Sequence, residues 1–333
     1  MSRAQLTSTV EQNSAGAAAP YVAGKNKLIN GDFGIWQRGT SFTNLSNAYA
    51  CDRWLLNNSV ASTVAQQSSG APLGSRYYSR ITFGASGILN FNQFLETSTV
   101  AMLWGQTVTF SVKLRRNSTL AANMSVIIAK SSTVDANVFS TWTTINTSTV
   151  VYTNLPTATT SSDWYLATVS AFIPNDGTAN GLYVGIASGT QASGATYDVA
   201  EAQLEAGSVA TPFTTASGTL QGELALCQRY YYRQNSSATF MRLGNGVFTS
   251  TTNLSATISL PVTMRTATTT IGYSNLGTFD GVNILAVSAS AVNAASTTCP
   301  SLDFTVSGAT QYRPGQPIIN NNANGYLALD CEL

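Results

Sequence analysis

The chain has 333 residues, 44% of them hydrophobic and only 9% charged, with 16 Lys and Arg against 15 Asp and Glu, a net charge of +1 and no histidine. So even a balance provides no basic surface for a phosphate backbone, which argues against a nucleic-acid partner, and without histidine Ser-His-Asp, Cys-His and histidine-ligated zinc chemistry is excluded. Two domains are expected, because single cores rarely grow past about 250–300 residues, and no membrane insertion is expected, because the apolar runs fall short of the roughly 18–20 residues that cross a bilayer.

Residues 1–25 are small and polar, with AGAAAP at 15–20, and have no periodicity that could bury a face. They read either as a disordered leader or as a peptide that orders on docking to another protein. They also lack the apolar centre of a secretory signal.

Over residues 26–217, short alternating segments separated by Gly, Asn, Ser and Pro predict an all-β sandwich, most simply a jelly roll. In the clearest segment, at 107–114, Val108, Phe110, Val112 and Leu114 share one face. Others stand at 125–129, 164–172 and 182–187. Asn30-Gly31-Asp32 is a turn signature expected to start the first strand and to seat Phe33 and Trp36 in the core. Arg38, Asp52 and Arg53, rare charges beside Trp36 and Trp54, suggest a partly buried structural ion pair. Gln203-Leu204-Glu205 closes the strand series, with Glu205 expected to bond backbone groups of the neighbouring first strand.

In the linking segment 218–234, Leu220, Leu224, Cys227 and Tyr231 recur at helical spacing and predict a short helix over 219–233. Its stripe would pack on its own sandwich or at a subunit interface near a symmetry axis. The aromatic cluster Tyr230-Tyr231-Tyr232-Arg233 is expected to continue that helix.

Alternation returns at 254–260, 302–306 and 326–329, so 235–333 reads as a smaller C-terminal β-sandwich. Pro314, Pro317 and Asn320-Asn321-Asn322 suggest a loop of the kind that carries recognition. Tyr273, Asn275, Tyr312, Arg313, Asn321 and Asn322 have the chemistry of glycan recognition, aromatic platforms beside amide and guanidinium groups. Cys51, Cys227, Cys299 and Cys331 form no C-x-x-C pair and read as buried free thiols.

Three stretches resemble phage and prophage tail-fibre-like proteins: LINGDFGIWQRGT at 28–40 with Asp52-Arg53-Trp54 after it, AQLEAGS at 202–208 with Thr211-Pro212-Phe213, and ELALCQRYY at 223–231. The resemblance implies a carbohydrate-binding-module-like jelly roll between the first two, then a small β domain, in a homotrimeric virion appendage. Residues 260–265 also resemble the start of that second domain, whereas Ala267 and Thr268 stand where a proline is expected. Some such jelly rolls hold structural calcium, for which Asp32, Glu201 or Glu205 could supply oxygens. No acidic cluster has loop-like spacing, so neither metal nor cofactor is expected.

These observations together predict a binding and structural protein rather than an enzyme: a homotrimeric tail fibre attached to the virion through residues 1–25 and to host surface glycan through its outer domain. It would be made in the host cytoplasm. A head fibre, capsid decoration or tail-knob protein is the alternative, and a free sugar-binding module is a third. A polysaccharide depolymerase needs only two apposed carboxylates, but the repeated coils of β-helical depolymerases are missing from the chain.

Overall fold

A computed structural model describes residues 24–118, 120–157, 160–267 and 270–333; the expectations for residues 1–23 lie outside it. The chain divides into two compact units, 1–223 and 224–333.

The first unit is an antiparallel jelly-roll sandwich of two six-stranded sheets. One runs β1 (Ser41–Leu45), β4 (Ser62–Gln67), β5 (Tyr78–Phe83), β12 (Thr196–Ala206), β7 (Thr107–Arg116), β10 (Tyr165–Phe172). The other runs β2 (Ala48–Tyr49), β3 (Leu55–Asn58), β6 (Leu89–Leu95), β11 (Gly181–Ser188), β8 (Met124–Ser131), β9 (Thr143–Val150). Side chains alternate across a strand, so the Val108, Phe110, Val112 and Leu114 set of β7 points inward together and is fully buried. It shares a core with Met124, Val126 and Ile128 of β8 and Leu182, Val184 and Ile186 of β11. The opposite parity of β7, including Lys113 and Arg115, therefore faces out.

Asn30-Gly31-Asp32 does form a turn, but the strand expected to follow it begins only at Ser41. Residues 26–40 are held instead by side-chain bonds together with scattered backbone bonds, among them Lys27 N–H to the Leu204 carbonyl at 2.8 Å. Phe33 and Trp36 are buried, with the Phe33 ring 5.0 Å from Trp54 and Trp54 5.3 Å from Phe91. The expected ion pair joins Arg38 Nη1 to Asp52 Oδ1 at 3.3 Å, and Gln37 donates to the other carboxylate oxygen at 2.8 Å. Arg53 donates to the Phe94 carbonyl at 2.6 Å from a backbone in the left-handed region. Glu205 accepts from the backbone and hydroxyl of Thr211 and from Gln203, and pairs with Lys25 at 3.5 Å. It thus closes the loop that follows it rather than binding a first strand. Burial alone would raise its carboxyl, yet those bonds hold it below the usual range.

The helix is shorter than its period suggests. A short α1 (Thr97–Ala101) lies in the first unit, and α2 (Leu220–Gln228) crosses the point where one unit gives way to the next. Beyond it Tyr231 belongs to β13 (Tyr231–Asn235), paired with Asp330, and the backbone N–H of Cys331 donates to the Tyr230 carbonyl at 2.7 Å. Three successive tyrosines suit a pleated strand better than a helix, and the pairing partner decides the matter. Leu220 is 65% exposed, leaving Cys227 as the buried member of the stripe and Leu224 half-buried.

The second unit is the smaller sandwich. A seven-stranded sheet runs β18 (Ile284–Ala286), β17 (Leu276–Phe279), β21 (Pro314–Ile319), β14 (Asn245–Ser250), β15 (Asn253–Thr257), β20 (Ser301–Thr305), β19 (Ala289–Ala294). A three-stranded sheet runs β13, β22 (Tyr326–Asp330), β16 (Thr270–Ser274). Phe248, Leu254, Phe304, Ile319 and Leu329 fill the core between them. Pro314 and Pro317 lie within β21 and not in a loop. Pro314 is its first residue, where no ladder donor is needed, and Pro317 offers its carbonyl to Leu243 N–H at 2.9 Å. Cys51, Cys227 and Cys331 are buried free thiols, whereas Cys299 is exposed. No described helix is long and apolar enough to cross a membrane.

Candidate functional site

The antiparallel pairing of β17 with β21 places Phe279 opposite Gln316, and β21 meets β14 through Gly246 opposite Gly315. These three strands meet at an open cleft of about 420 Å³, within the usual range for small-molecule sites. Its floor is bare backbone. A Cβ on Gly315 would lie 2.6 Å from the Phe248 ring and one on Gly246 2.1 Å from the Ser255 carbonyl oxygen, so the packing beneath keeps both positions glycine.

On the β17 side, Asp280 and Gly281 turn the chain toward β18. Asp280 Oδ1 accepts the N–H groups of Asn283 at 2.6 Å and Val282 at 2.9 Å, an Asx turn, and Oδ2 accepts Arg313 Nη1 at 2.8 Å. The Asn283 bond is the largest cause of a carboxyl pKa lowered to about 2, reinforced by Val282 and Arg313 against the opposing effect of burial. Arg313 is thereby fixed in position with its side chain 37% exposed.

Across the cleft, Gln316 Nε2 donates to Asn245 Oδ1 at 2.9 Å and Arg242 Nε donates to Gln316 Oε1 at 3.1 Å. The Arg242 guanidinium stands 4.9 Å from the Phe279 ring centroid. The lining thus offers the Arg313 guanidinium, two side-chain amides and the Phe279 ring, while Arg242 bonds Gln316 from outside the lining. Its one carboxylate already accepts three bonds and is ionised far below neutral pH. A general acid needs a pKa near the working pH, so Asp280 is equipped to orient Arg313 and not to deliver a proton.

Of the residues singled out from the sequence, Arg313 lines this cleft. Its neighbour Tyr312 is 77% exposed with φ 62°, its N–H bonded to the Phe248 carbonyl at 2.7 Å. Asn275, Asn321 and Asn322 belong to the opposite end of β21. There Asn320 N–H donates to the Asn275 carbonyl at 2.8 Å, and Asn321 and Asn322 line a separate depression with residues 236–239. Seven residues of strand from Arg313 to Asn320 span roughly 23 Å, so the six candidates do not form one site. Tyr273 is half-buried in β16 against the core. Asp280, Arg242, Asn245, Gln316 and Phe279 were missed; the Asp280-Gly281 turn pair was the available signal.

The oxygens weighed for calcium are engaged separately in the first unit. Glu201 pairs with Lys113 at 2.7 Å and accepts the Ser75 hydroxyl at 2.9 Å, Glu205 is engaged as described above, and Asp32 accepts the Gly34 N–H at 3.3 Å. Among the described residues no group of three or more Asp, Glu or Cys side chains is placed to hold a metal ion.

No protein-family model matches the chain, and neither does any curated protein. Solved structures do. The TmCBM61 module in complex with beta-1,4-galactotriose is 11% identical over 55% of this chain and 99% of its own, with a TM-score of 0.35. A CBM4 structure is 20% identical over 54% of this chain and 98% of its own, with a TM-score of 0.33. The enzymatically active domain of bacteriophage CBA120 tailspike protein 4 is 13% identical over 55% of this chain but 21% of its own, with a TM-score of 0.34. No ligand or assembly state passes from them to this chain at such values.

Proposed function

We propose that the protein is a non-catalytic glycan-binding component of a bacteriophage virion, a homotrimeric tail fibre that meets host surface glycan through its C-terminal sandwich. The cleft between Asp280–Arg313 and Gln316–Asn245 carries the binding reading: hydroxyl-rich ligands are held by a fixed guanidinium and amide groups beside an aromatic ring, and the cleft presents these. The virion role rests on the motif resemblance at 28–40, 202–208 and 223–231, with residues 1–25 as the segment that attaches to the particle.

The decisive experiment titrates intact protein with purified host surface polysaccharide. Arg313→Ala should weaken binding by about tenfold, equivalent to ~1.4 kcal/mol, while Asn321→Ala at the far end of β21 leaves it unchanged. Equal loss from both variants, or from neither, would remove the cleft from the reading. Light scattering should give three times the chain mass of 35.0 kDa, and a monomer at micromolar concentration would overturn the fibre. Release of reducing ends from the polysaccharide would overturn the non-catalytic assignment.

A further inference from the structure

We propose a second, independent ligand site on the outer face of the first unit, a pocket for the carboxylate-bearing sugar of an acidic polysaccharide. Register across three adjacent strands brings Arg80 of β5, Asp198 of β12 and Arg115 of β7 into one row. Asp198 is fully buried and accepts Arg80 Nε at 2.7 Å and Nη2 at 3.0 Å, and Arg115 Nε at 2.9 Å. Two guanidinium groups against one carboxylate leave a net charge of +1 on a row set in a charge-poor chain.

Arg115 is 2% exposed and held rigidly. Its Nη1 donates to the Gly70 carbonyl at 2.7 Å and the Thr160 carbonyl at 3.0 Å, and its plane lies 4.1 Å from the Trp164 ring centroid and 4.7 Å from that of Tyr78. Gly70, with φ 74°, permits that approach: a Cβ there would stand 3.3 Å from Nη1. A guanidinium has five N–H donors. Among the described residues, Nη2 of Arg115 and Nη1 of Arg80 have no protein acceptor. Both side chains line an open pocket of about 210 Å³ whose other walls include Gln67, Ser69 and Asn117.

Donors without a protein acceptor, on guanidinium groups fixed at an open pocket, suit an oxyanion, and the hydroxyl and amide groups around them match a sugar's hydroxyls. The volume suits one monosaccharide unit. The pocket belongs to the first unit and the Asp280–Arg313 cleft to the second, and they share no residue, so either site can fail without the other.

The test titrates intact protein with glucuronate, glucose and inorganic phosphate, followed by calorimetry and by the fluorescence of Trp164, which stacks on Arg115. Saturable glucuronate binding is expected, with none for glucose and weaker binding for phosphate. Arg80→Gln removes one free donor, and Gln67→Glu places a negative charge in the pocket without touching Asp198. Each should weaken glucuronate by about tenfold, while Arg313→Ala has no effect. Gln67→Glu should leave the melting temperature unchanged, whereas Arg80→Gln also takes two bonds from buried Asp198 and should melt lower. Absence of saturable glucuronate binding to tens of millimolar, or wild-type affinity in both pocket variants, would overturn the site. Phosphate binding as tightly as glucuronate would reduce it to a bare anion site and overturn the sugar assignment.

Discussion

Glu223 Oε2 accepts the backbone N–H of Asn30 at 2.9 Å, while Oε1 accepts that of Ser217 at 2.6 Å, joining residues 193 apart in the chain. Asn30 uses the rest of its polar groups as well. Its carbonyl accepts Trp54 Nε1 at 3.1 Å, its amide donates to the carbonyls of Ile35 and Asp52, and its Oδ1 accepts Ile35 N–H at 2.8 Å. Next to it, Gly31 C=O accepts Ala202 N–H at 2.9 Å. The first and second motifs, and Glu223 of the third, are therefore parts of one buried hydrogen-bond knot in the first unit. Their separation in sequence reflects loop closure around a shared point.

Asn30→Ala should be among the most damaging single changes in the first unit. It deletes the bonds to Ile35 and Asp52, leaves buried carbonyls without donors, and puts alanine at φ 57°. Each stranded group costs about 1–3 kcal/mol, so a loss of at least ~3 kcal/mol is expected, or roughly 6–12 °C in the first unit's melting temperature. Calorimetry showing a shift below about 2 °C would refute the knot.

Gly31→Ala tests the same point by shape alone. Its Cβ would lie 2.1 Å from the Ala202 carbonyl oxygen, and that atom is backbone of β12 and already accepts Asn26 Nδ2 at 3.1 Å, so yielding would break this bond and the Ala202 N–H bond to the Gly31 carbonyl. Expression should fall into inclusion bodies, or the soluble fraction should melt well below wild type. Gly24→Ala, where a Cβ meets nothing within 4 Å, is the control for glycine chemistry as such.

What sequence could reveal here was whatever depends on local alternation. β7 was legible because Val108, Phe110, Val112 and Leu114 obey period two and all reach one core. The end of α2 was not, since Tyr231 satisfies helical spacing and only its partner Asp330, nearly a hundred residues on, shows it to be strand. The cleft was hidden for a similar reason. Asn245, Asp280 and Arg313 line one cleft because β17, β21 and β14 are neighbours in an order the chain does not follow. Pro314 and Pro317 argued for a loop, and that argument separated Arg313 from its partners.

Cysteine reactivity should separate one thiol from three. Cys299 is exposed, whereas Cys51, Cys227 and Cys331 are buried, with Cys331 Sγ donating to the Thr266 carbonyl at 3.3 Å. A thiol reagent should consume one equivalent quickly from native protein and four after denaturation. Cys299→Ser should abolish the fast phase, and persistence of that phase would contradict the placement.

Asp32 supplies a pH test in the first unit. Burial, aided by the nearby charge of Glu223, raises its carboxyl above the usual value of 3.8 despite the Gly34 N–H bond. A raised folded pKa contributes stability below the unfolded value and loses it as pH climbs through the folded one. The ionised form therefore burdens the fold at neutral pH. Asp32→Asn keeps an oxygen for Gly34 and removes the charge, so it should melt higher than wild type at pH 7 and match it below pH 4. A lower melting temperature at pH 7 would show that the charge serves the fold.

Asp280 gives the opposite sign in the second unit. With a folded pKa of about 2 against an ordinary 3.8, its contribution is complete above the unfolded value and is lost as pH falls toward 2. Wild-type protein should accordingly lose stability between pH 4 and pH 2, and Asp280→Asn should show a flatter profile in that interval while starting lower at pH 7, because Arg313 then lacks its anion. Glycan binding should follow the same curve, since Arg313 is positioned by this carboxylate. Retention of binding at pH 3 with loss near pH 2 is the expected pattern. Loss near pH 5 would point to a carboxylate of ordinary pKa and remove Asp280 from the site.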